Sequence, residues 1–188
     1  MRRPESFAAA QVEPMRAVGH DRIAIEDAVA VGAMFACITR VADSLGFTYP
    51  NAASREMTAR RLLGAGYGAP PVERHGSRRF AGAWAAMQEA VETTPGHADP
   101  ELRKQVFAWI ERDARTGDAP LAELPSELHV LLRKGSRNAF TITDEDIAAL
   151  RGQGMHEAAV FEVVVAMAAA AGASRYAIAM DALDGAPR

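Results

Sequence analysis

The chain has 188 residues, of which 49% are hydrophobic, 24% are charged and only 6% are aromatic. These values are typical of a folded domain with its own core, and the scarcity of aromatic residues beside frequent alanine favours packed helices over a β-sheet. A formal net charge of −3 without a long basic run argues against nucleic-acid binding, and the single cysteine, Cys37, excludes an intrachain disulfide framework and any CxxC site.

The first third of the chain predicts one long helix. Prolines interrupt residues 1–20, which we expect to be irregular or weakly helical, and no continuous apolar stretch there resembles a signal peptide. Helical periodicity runs from about Ile23 to Leu45, and Gly46 ends it. Residues 28–38 carry no strongly polar side chain, so we expect this helix to be buried on all sides.

Shorter amphipathic helices follow in the middle of the chain. The pattern predicts a helix from Ser54 to about residues 64–66, a Gly- and Pro-rich linker over 66–79, and helices over 80–91 and 100–114. Asp99 and Pro100 have the residue types of a helix cap and a first helical residue. A further helix is predicted from Ser126 to Gly135.

The last third predicts a short helix and then a second long one. Thr143 precedes three acidic residues, a pattern typical of a capped helix start, and that helix ends near residues 152–154. His156 to Leu183 then repeats the apolar pattern of the first long helix. The weakly polar stretch at 158–173 contains Glu162 and is too short for a bilayer, so we expect a core helix in a cytoplasmic, all-α protein.

A shift of 135 residues superimposes the two long helices without a gap. The most informative matches are a glycine, an acidic residue, and a hydroxyl residue followed by arginine. Gly19 aligns with Gly154, Asp27 with Glu162, and Thr39-Arg40 with Ser174-Arg175. We interpret this as a duplication within a single domain of residues 1–188, with one unit at about 10–50, linking helices at 51–140 and a second unit at about 143–185. The two long helices should then pack against each other as a pseudo-two-fold pair.

Candidate site residues lie near the ends of these long helices. Arg40 shares a helix face with Cys37, Asp43 and Ser44, a cluster that either holds a small anion or forms a structural salt bridge. Cys37 is either a lone nucleophile or a buried packing residue. The acid of one unit could also pair with the arginine of the other, or each charge could simply face water near a helix end. The five histidines form no ligand pair, so we expect neither a metal nor a cofactor.

Residues 27–47, which end in TRVADSLGF, and residues 143–175 resemble the carboxymuconolactone decarboxylase and alkylhydroperoxidase D superfamily. The shared feature is the order of an acid-capped helix, a glycine turn and a long apolar helix. The resemblance implies an alkylhydroperoxidase D-like helical bundle with two pseudo-symmetric copies of a helix–turn–long-helix unit. It also implies assembly into oligomers, for which we expect a homodimer formed through the faces at 55–65, 80–92 and 100–114, including Trp84, Trp109 and Ile110.

The thiol motif of the superfamily's peroxidases is missing from this chain. The positions of its CxxC and histidine fall on Val31, Met34 and Ile38, and in the second unit on Ala166, Ala169 and Ala173. The resemblance therefore implies a small-molecule-binding or non-thiol member, and from the charge and the short apolar stretch we expect neither a nucleic-acid nor a membrane partner. The alternatives are an enzyme acting on a small organic acid or lactone, and a residual peroxidase-related antioxidant protein. The candidate catalytic residues are Arg40, Asp43, Cys37, Arg175 and Glu162.

Overall fold

The computed structural model describes residues 9–48, 50–66 and 80–185, and all regular structure within these ranges is helical. The predicted all-α class is confirmed there. The predicted linker lies outside the described residues, apart from Gly66. The helices are α1 (Ala9–Ala17), α2 (Arg22–Ser44), α3 (Ala52–Ala65), α4 (Ala81–Thr93), α5 (Pro100–Thr116), α6 (His129–Arg137), α7 (Asp144–Gly152) and α8 (Glu157–Asp184), with short 3-10 helices at Ser126–Leu128 and Ala139–Thr141.

Local capping fixes where several helices begin. The Asp99 carboxylate accepts the Glu101 backbone N–H just before α5, and Pro100 is its first residue, as predicted. At α7 the Asp146 carboxylate accepts the Thr143 backbone N–H at 2.8 Å. The start of α8 has a cap that the sequence did not predict. The His156 ring nitrogen Nδ1 accepts the Ala158 N–H at 3.1 Å.

Helix α8 is the centre of the fold. It packs against α1, α2, α4, α5, α6 and α7, and its most extensive partner is α2. Arg22 at the start of α2 binds Asp184 at the end of α8. Near the middle of both helices, a Cβ on Gly172 would lie 3.0 Å from the carbonyl oxygen of Ala33. The two long helices therefore run antiparallel. The expected packing of these helices against each other is confirmed. By length and composition α8 could span a membrane, but 83% of its most apolar window is buried inside the protein.

Two hydrophobic clusters lie along α8. One includes residues 159–171 of α8 together with residues of α5, α6 and the 3-10 helix before α6, including Phe107, Leu128, Leu132, Val164 and Met167. The other joins α1, α2, α4 and the C-terminal part of α8 through Val12, Ile25, Trp84, Tyr176 and Met180. In the first cluster most of the large side chains come from outside α8, which contributes several alanines.

Two details of the sequence interpretation are wrong. Helix α2 is not buried on all sides, since its residues Val31, Met34, Phe35 and Ile38 are exposed. The predicted helix over 126–135 is a 3-10 turn followed by α6, and α6 continues past Gly135 to Arg137. Gly135 does not end the helix but lies against Met167 of α8, where a Cβ would clash. Within the stretch expected to be irregular or weakly helical, residues 9–17 form the helix α1, which includes Pro14.

Three residues expected in an intersubunit contact also lie elsewhere. Trp84, Trp109 and Ile110 are buried in the chain's own core. The error came from amphipathic periodicity, which marks a buried face without showing which neighbour covers it.

Candidate functional site

The side chains of Arg40 and Arg175 converge on the last turn of α6. Both arginines are buried, Arg40 in α2 and Arg175 in α8. Arg40 Nε donates to the Gly135 carbonyl at 2.8 Å and its Nη2 donates to the Ser136 carbonyl at 2.9 Å. Arg175 Nη2 donates to the same Ser136 carbonyl at 3.1 Å. Three helices are therefore joined at one carbonyl group.

The two arginines, which are matched in the sequence repeat, also have matched bonds to their own helices. Arg40 Nη1 donates to the carbonyl of Ala36 and Arg175 Nη1 to the carbonyl of Ala171, each at 2.9 Å. The carbonyls of Gly135 and Ser136 lie in the last turn of α6, where carbonyl groups lack intrahelical partners and carry partial negative charge. The two guanidinium groups bind these two carbonyls and so stabilise the C-terminal end of α6.

The buried carboxylate of Asp113 binds the side chain of Ser136, whose carbonyl the two arginines share. The Ser136 hydroxyl donates to Asp113 Oδ2 at 2.7 Å, and Oδ1 accepts the Ala119 N–H at 3.1 Å and Arg137 Nη2 at 3.2 Å. Burial acts to raise the pKa of Asp113, but these donors outweigh it and hold that pKa below its usual value. Sequence reasoning missed this residue, although its position three residues after Ile110, on the apolar stripe of α5, was a signal.

Arg40 has no carboxylate within ion-pair distance among the described residues, since its bonds there all go to backbone carbonyls. Burial lowers the pKa of Arg40, while Cys37 and Asp43 act in the opposite direction. The salt bridge expected between Arg40 and Asp43 is not formed. One turn further along α2, Ser44 is buried and its hydroxyl has no hydrogen-bond partner in the described part of the chain.

Cys37 lies one helical turn before Arg40 on α2. Its side chain is half-buried. Burial raises the pKa of the thiol above its ordinary value, although the nearby charge of Arg40 acts to lower it. Because the thiolate is the reactive form of cysteine, a raised pKa favours the packing role of Cys37 over that of a nucleophile.

Glu162 forms a separate cluster where α8 meets the start of α5. Its Oε1 accepts the His97 N–H, and its Oε2 accepts the Ala98 N–H and binds Arg103 Nη1 at 3.1 Å. Burial acts to raise the pKa of Glu162, but these backbone donors and the charge of Arg103 outweigh it and lower the pKa. Glu162 therefore anchors the loop before α5, and its arginine partner is Arg103 rather than Arg40.

Beside this cluster the rings of His97 and His156 stack with centroids 4.5 Å apart and planes 6° apart. Both histidines are exposed. The nitrogens of stacked rings point outward in two parallel planes rather than toward a shared point. Across the described ranges no group of three or more histidine, cysteine, aspartate and glutamate side chains is placed to hold a metal ion.

Comparison with known proteins adds no assignment to this geometry. No family model, curated protein or solved structure matches the chain. The functional interpretation therefore depends on the arrangement around Arg40 and on the resemblance carried by the two long helices.

Proposed function

We propose that this protein is a cytoplasmic, non-thiol member of the alkylhydroperoxidase D-like superfamily that binds a small organic anion, such as a carboxylate, beside Arg40. One observation carries the proposal. The buried guanidinium of Arg40 is bonded to carbonyls alone, and the buried hydroxyl of Ser44, one helical turn away, has no partner among the described residues. Buried charges and buried hydroxyl groups are normally paired, because leaving them unpaired costs free energy.

The chemistry of these two side chains suits a carboxylate. A guanidinium has five N–H donors, and the described bonds of Arg40 use three of them. Two remaining N–H groups match the two oxygens of a carboxylate, and the Ser44 hydroxyl supplies a third donor. Ser44 follows Arg40 by four residues, so the two residues lie on the same face of α2.

Two further observations support membership of the superfamily. The long helices α2 and α8 pack antiparallel, and their matched arginines make matched bonds, as a duplicated unit would. The positions of the family's thiol motif hold apolar residues, and the one cysteine of the chain has a raised pKa. These features favour a binding role without thiol chemistry.

Calorimetry with the full chain tests the proposal, using acetate, benzoate and other small carboxylates as probes. We expect binding, and we expect Ser44→Ala to weaken it by about five- to tenfold, which corresponds to the loss of one hydrogen bond of about 1–1.4 kcal/mol. The control is Ser126→Ala, which removes an exposed hydroxyl far from Arg40 in sequence and should leave the affinity unchanged.

The stability of the unliganded protein provides a second, independent test. If the Ser44 hydroxyl lacks a partner until the anion arrives, Ser44→Ala should make the unliganded protein more stable by about 1 kcal/mol while it weakens binding. Equal affinities of wild type and Ser44→Ala, or no binding at millimolar carboxylate, would contradict the proposal. Consumption of the added acid would instead favour the decarboxylase-like alternative.

A further inference from the structure

The histidine ring that begins α8 can cap the helix only while it is neutral. His156 Nδ1 accepts the Ala158 N–H at 3.1 Å, so Nδ1 carries no proton while the cap is in place. The proton of the neutral ring is then on Nε2. Asparagine, serine and threonine, which are common capping residues, accept the same bond without this condition. A histidine at this position therefore makes the start of α8 sensitive to acid.

The surroundings of the His156 ring oppose a positive charge on it. The free N–H groups at the start of a helix carry partial positive charge. The ring of His97 stacks on that of His156 with centroids 4.5 Å apart, and two charged rings at this separation repel each other. While the cap is in place, the pair therefore holds at most one proton, and that proton is on His97. Both rings are exposed, so protons reach them directly from solvent.

Other charged side chains near the stack come from each element that meets there. They belong to the loop before α5, to α5, to α7 and to α8, and they are Asp99, Arg103, Arg151, Glu157 and Glu162. Each carboxylate among them is already bonded to backbone N–H groups, to an arginine, or to both. In the described ranges none of them is ion-paired with the ring of His156, so a positive charge on that ring has no dedicated partner there.

We propose that the start of α8 is an acid-sensitive latch, in which protonation of His156 breaks the bond to Ala158 and releases the first turn of the helix. That turn carries Ala159 and Val160, which are buried in the hydrophobic cluster that contains Phe107. Its release therefore opens the edge of this cluster to solvent. Histidine is the side chain that ordinarily changes charge between about pH 5 and pH 8, so the latch responds to mild acid.

The loop before α5 stays attached to α8 when this latch opens. Glu162, in the second turn of α8, accepts the His97 and Ala98 N–H groups, each at 2.9 Å. A Cβ on Gly96 would clash with the same carboxylate, so the loop lies directly against it. Burial acts to raise the pKa of Glu162, but the two backbone donors and the charge of Arg103 outweigh it and lower the pKa.

The direction of that pKa shift places release of the loop in a second step. The stability that a carboxylate with a lowered pKa contributes is fully present above its unfolded pKa, about 4.3 for glutamate. It is lost only as the pH falls through the folded pKa. The first turn of α8 should therefore open in mild acid, and the loop should separate only below about pH 4.3.

Amide hydrogen exchange on the full chain, followed by NMR, measures the two steps at separate N–H groups. Between about pH 7.5 and about pH 5 we expect the protection factor of Ala158 to fall by about five- to tenfold, the factor that corresponds to loss of one helix cap. The protection factors of the His97 and Ala98 amides should change by less than about twofold over the same range. Protection factors are corrected for the intrinsic exchange rate, so the pH dependence of exchange chemistry does not enter.

His156→Asn is the main test variant, because asparagine keeps a capping oxygen but takes up no proton in this range. Its Ala158 protection factor should not depend on pH. In urea unfolding, the unfolding constant of the wild type relative to this variant should rise by about fivefold from about pH 7.5 to about pH 5. His97→Phe keeps a ring against His156 without a second charge and should retain a response at Ala158. The matched control is His20→Asn, which replaces another exposed histidine and should show the wild-type response.

A wild-type Ala158 protection factor that does not change in mild acid would overturn the latch. So would a His156→Asn protein with the same pH response as the wild type, or a His97→Phe protein with none, which would place the switch on the other ring. Loss of protection at Ala158, His97 and Ala98 together above about pH 5 would refute the separate second step. None of these measurements involves Arg40 or Ser44, so their outcome is independent of the proposed carboxylate binding.

Discussion

Replacement of Asp113 by asparagine tests whether the buried carboxylate supports the arginine pair. Asp113 accepts hydrogen bonds from the Ser136 hydroxyl at 2.7 Å, the Ala119 N–H at 3.1 Å and Arg137 at 3.2 Å. Ala119 and Arg137 offer only donors to this site. The amide nitrogen of asparagine can be accommodated only where the serine hydroxyl turns to accept, so at least one charge-assisted bond is lost.

The expected loss of unfolding free energy is about 2–3 kcal/mol. A hydrogen bond to a charged group contributes roughly 1.5–3 kcal/mol. The Arg137 side chain is 45% exposed and can return to water, so its ion pair adds little to this figure. For a chain of this size the loss corresponds to a fall in Tm of about 4–12 °C.

The effect should depend on pH in a defined direction. The pKa of Asp113 is lowered in the folded protein, so the unfolded chain takes up the proton at higher pH. The stability from this carboxylate is therefore fully present above the unfolded pKa, about 3.9, and is lost as pH falls through the folded pKa. Asparagine cannot titrate, so the difference between wild type and variant should shrink below about pH 4.

Urea unfolding followed by circular dichroism at pH 7 and in steps below pH 4 measures both quantities. Asp118→Asn is the control, because its carboxylate is 84% exposed and lies 3.5 Å from Arg133, so we expect a change within about 0.5 kcal/mol. If Asp113→Asn costs no more than this control, or if the difference from wild type persists at low pH, the role assigned to Asp113 is wrong.

Two further substitutions test the contacts of α8. In Gly172→Ala the new Cβ would lie 3.0 Å from the Ala33 carbonyl oxygen, so we expect the free energy of unfolding to fall by about 1–2 kcal/mol. In the control Gly152→Ala the new Cβ meets nothing within 4 Å, so that change should not destabilise the protein. Thermal unfolding of both variants tests this, and a higher Tm for Gly172→Ala would show that the two helices can move apart without cost. His156→Ala should cost about 1 kcal/mol through loss of its cap, and His156→Asn less than half of that; equal losses in urea unfolding would mean that ring stacking, not capping, is what matters.

The helical class and several helix boundaries could be predicted from the sequence because they depend on neighbours along the chain. Asp99 and Pro100 begin α5, and Thr143 and Asp146 begin α7, through bonds that span two or three residues. The repeat likewise identified Arg40 and Arg175 as a matched pair before any contact was known. Each of these features is local or depends on comparing one segment with another.

The assembly of the site could not be predicted in this way. Arg40 and Arg175 meet at the carbonyl of Ser136, which is 96 and 39 residues away from them in sequence. A backbone carbonyl has no side-chain identity that a sequence pattern could reveal. In the sequence Asp113 is one acidic residue among many, and only folding brings it to the Ser136 hydroxyl.

The extent to which each of the two long helices is buried could not be predicted from local sequence. Both have apolar side chains around the whole helix, and both were therefore predicted to be core helices. Six other helices surround α8, whereas Val31, Met34, Phe35 and Ile38 of α2 are left exposed by the described part of the chain. The apolar pattern of a helix indicates which of its side chains favour burial, but only the tertiary structure decides how many neighbouring helices are present to cover them.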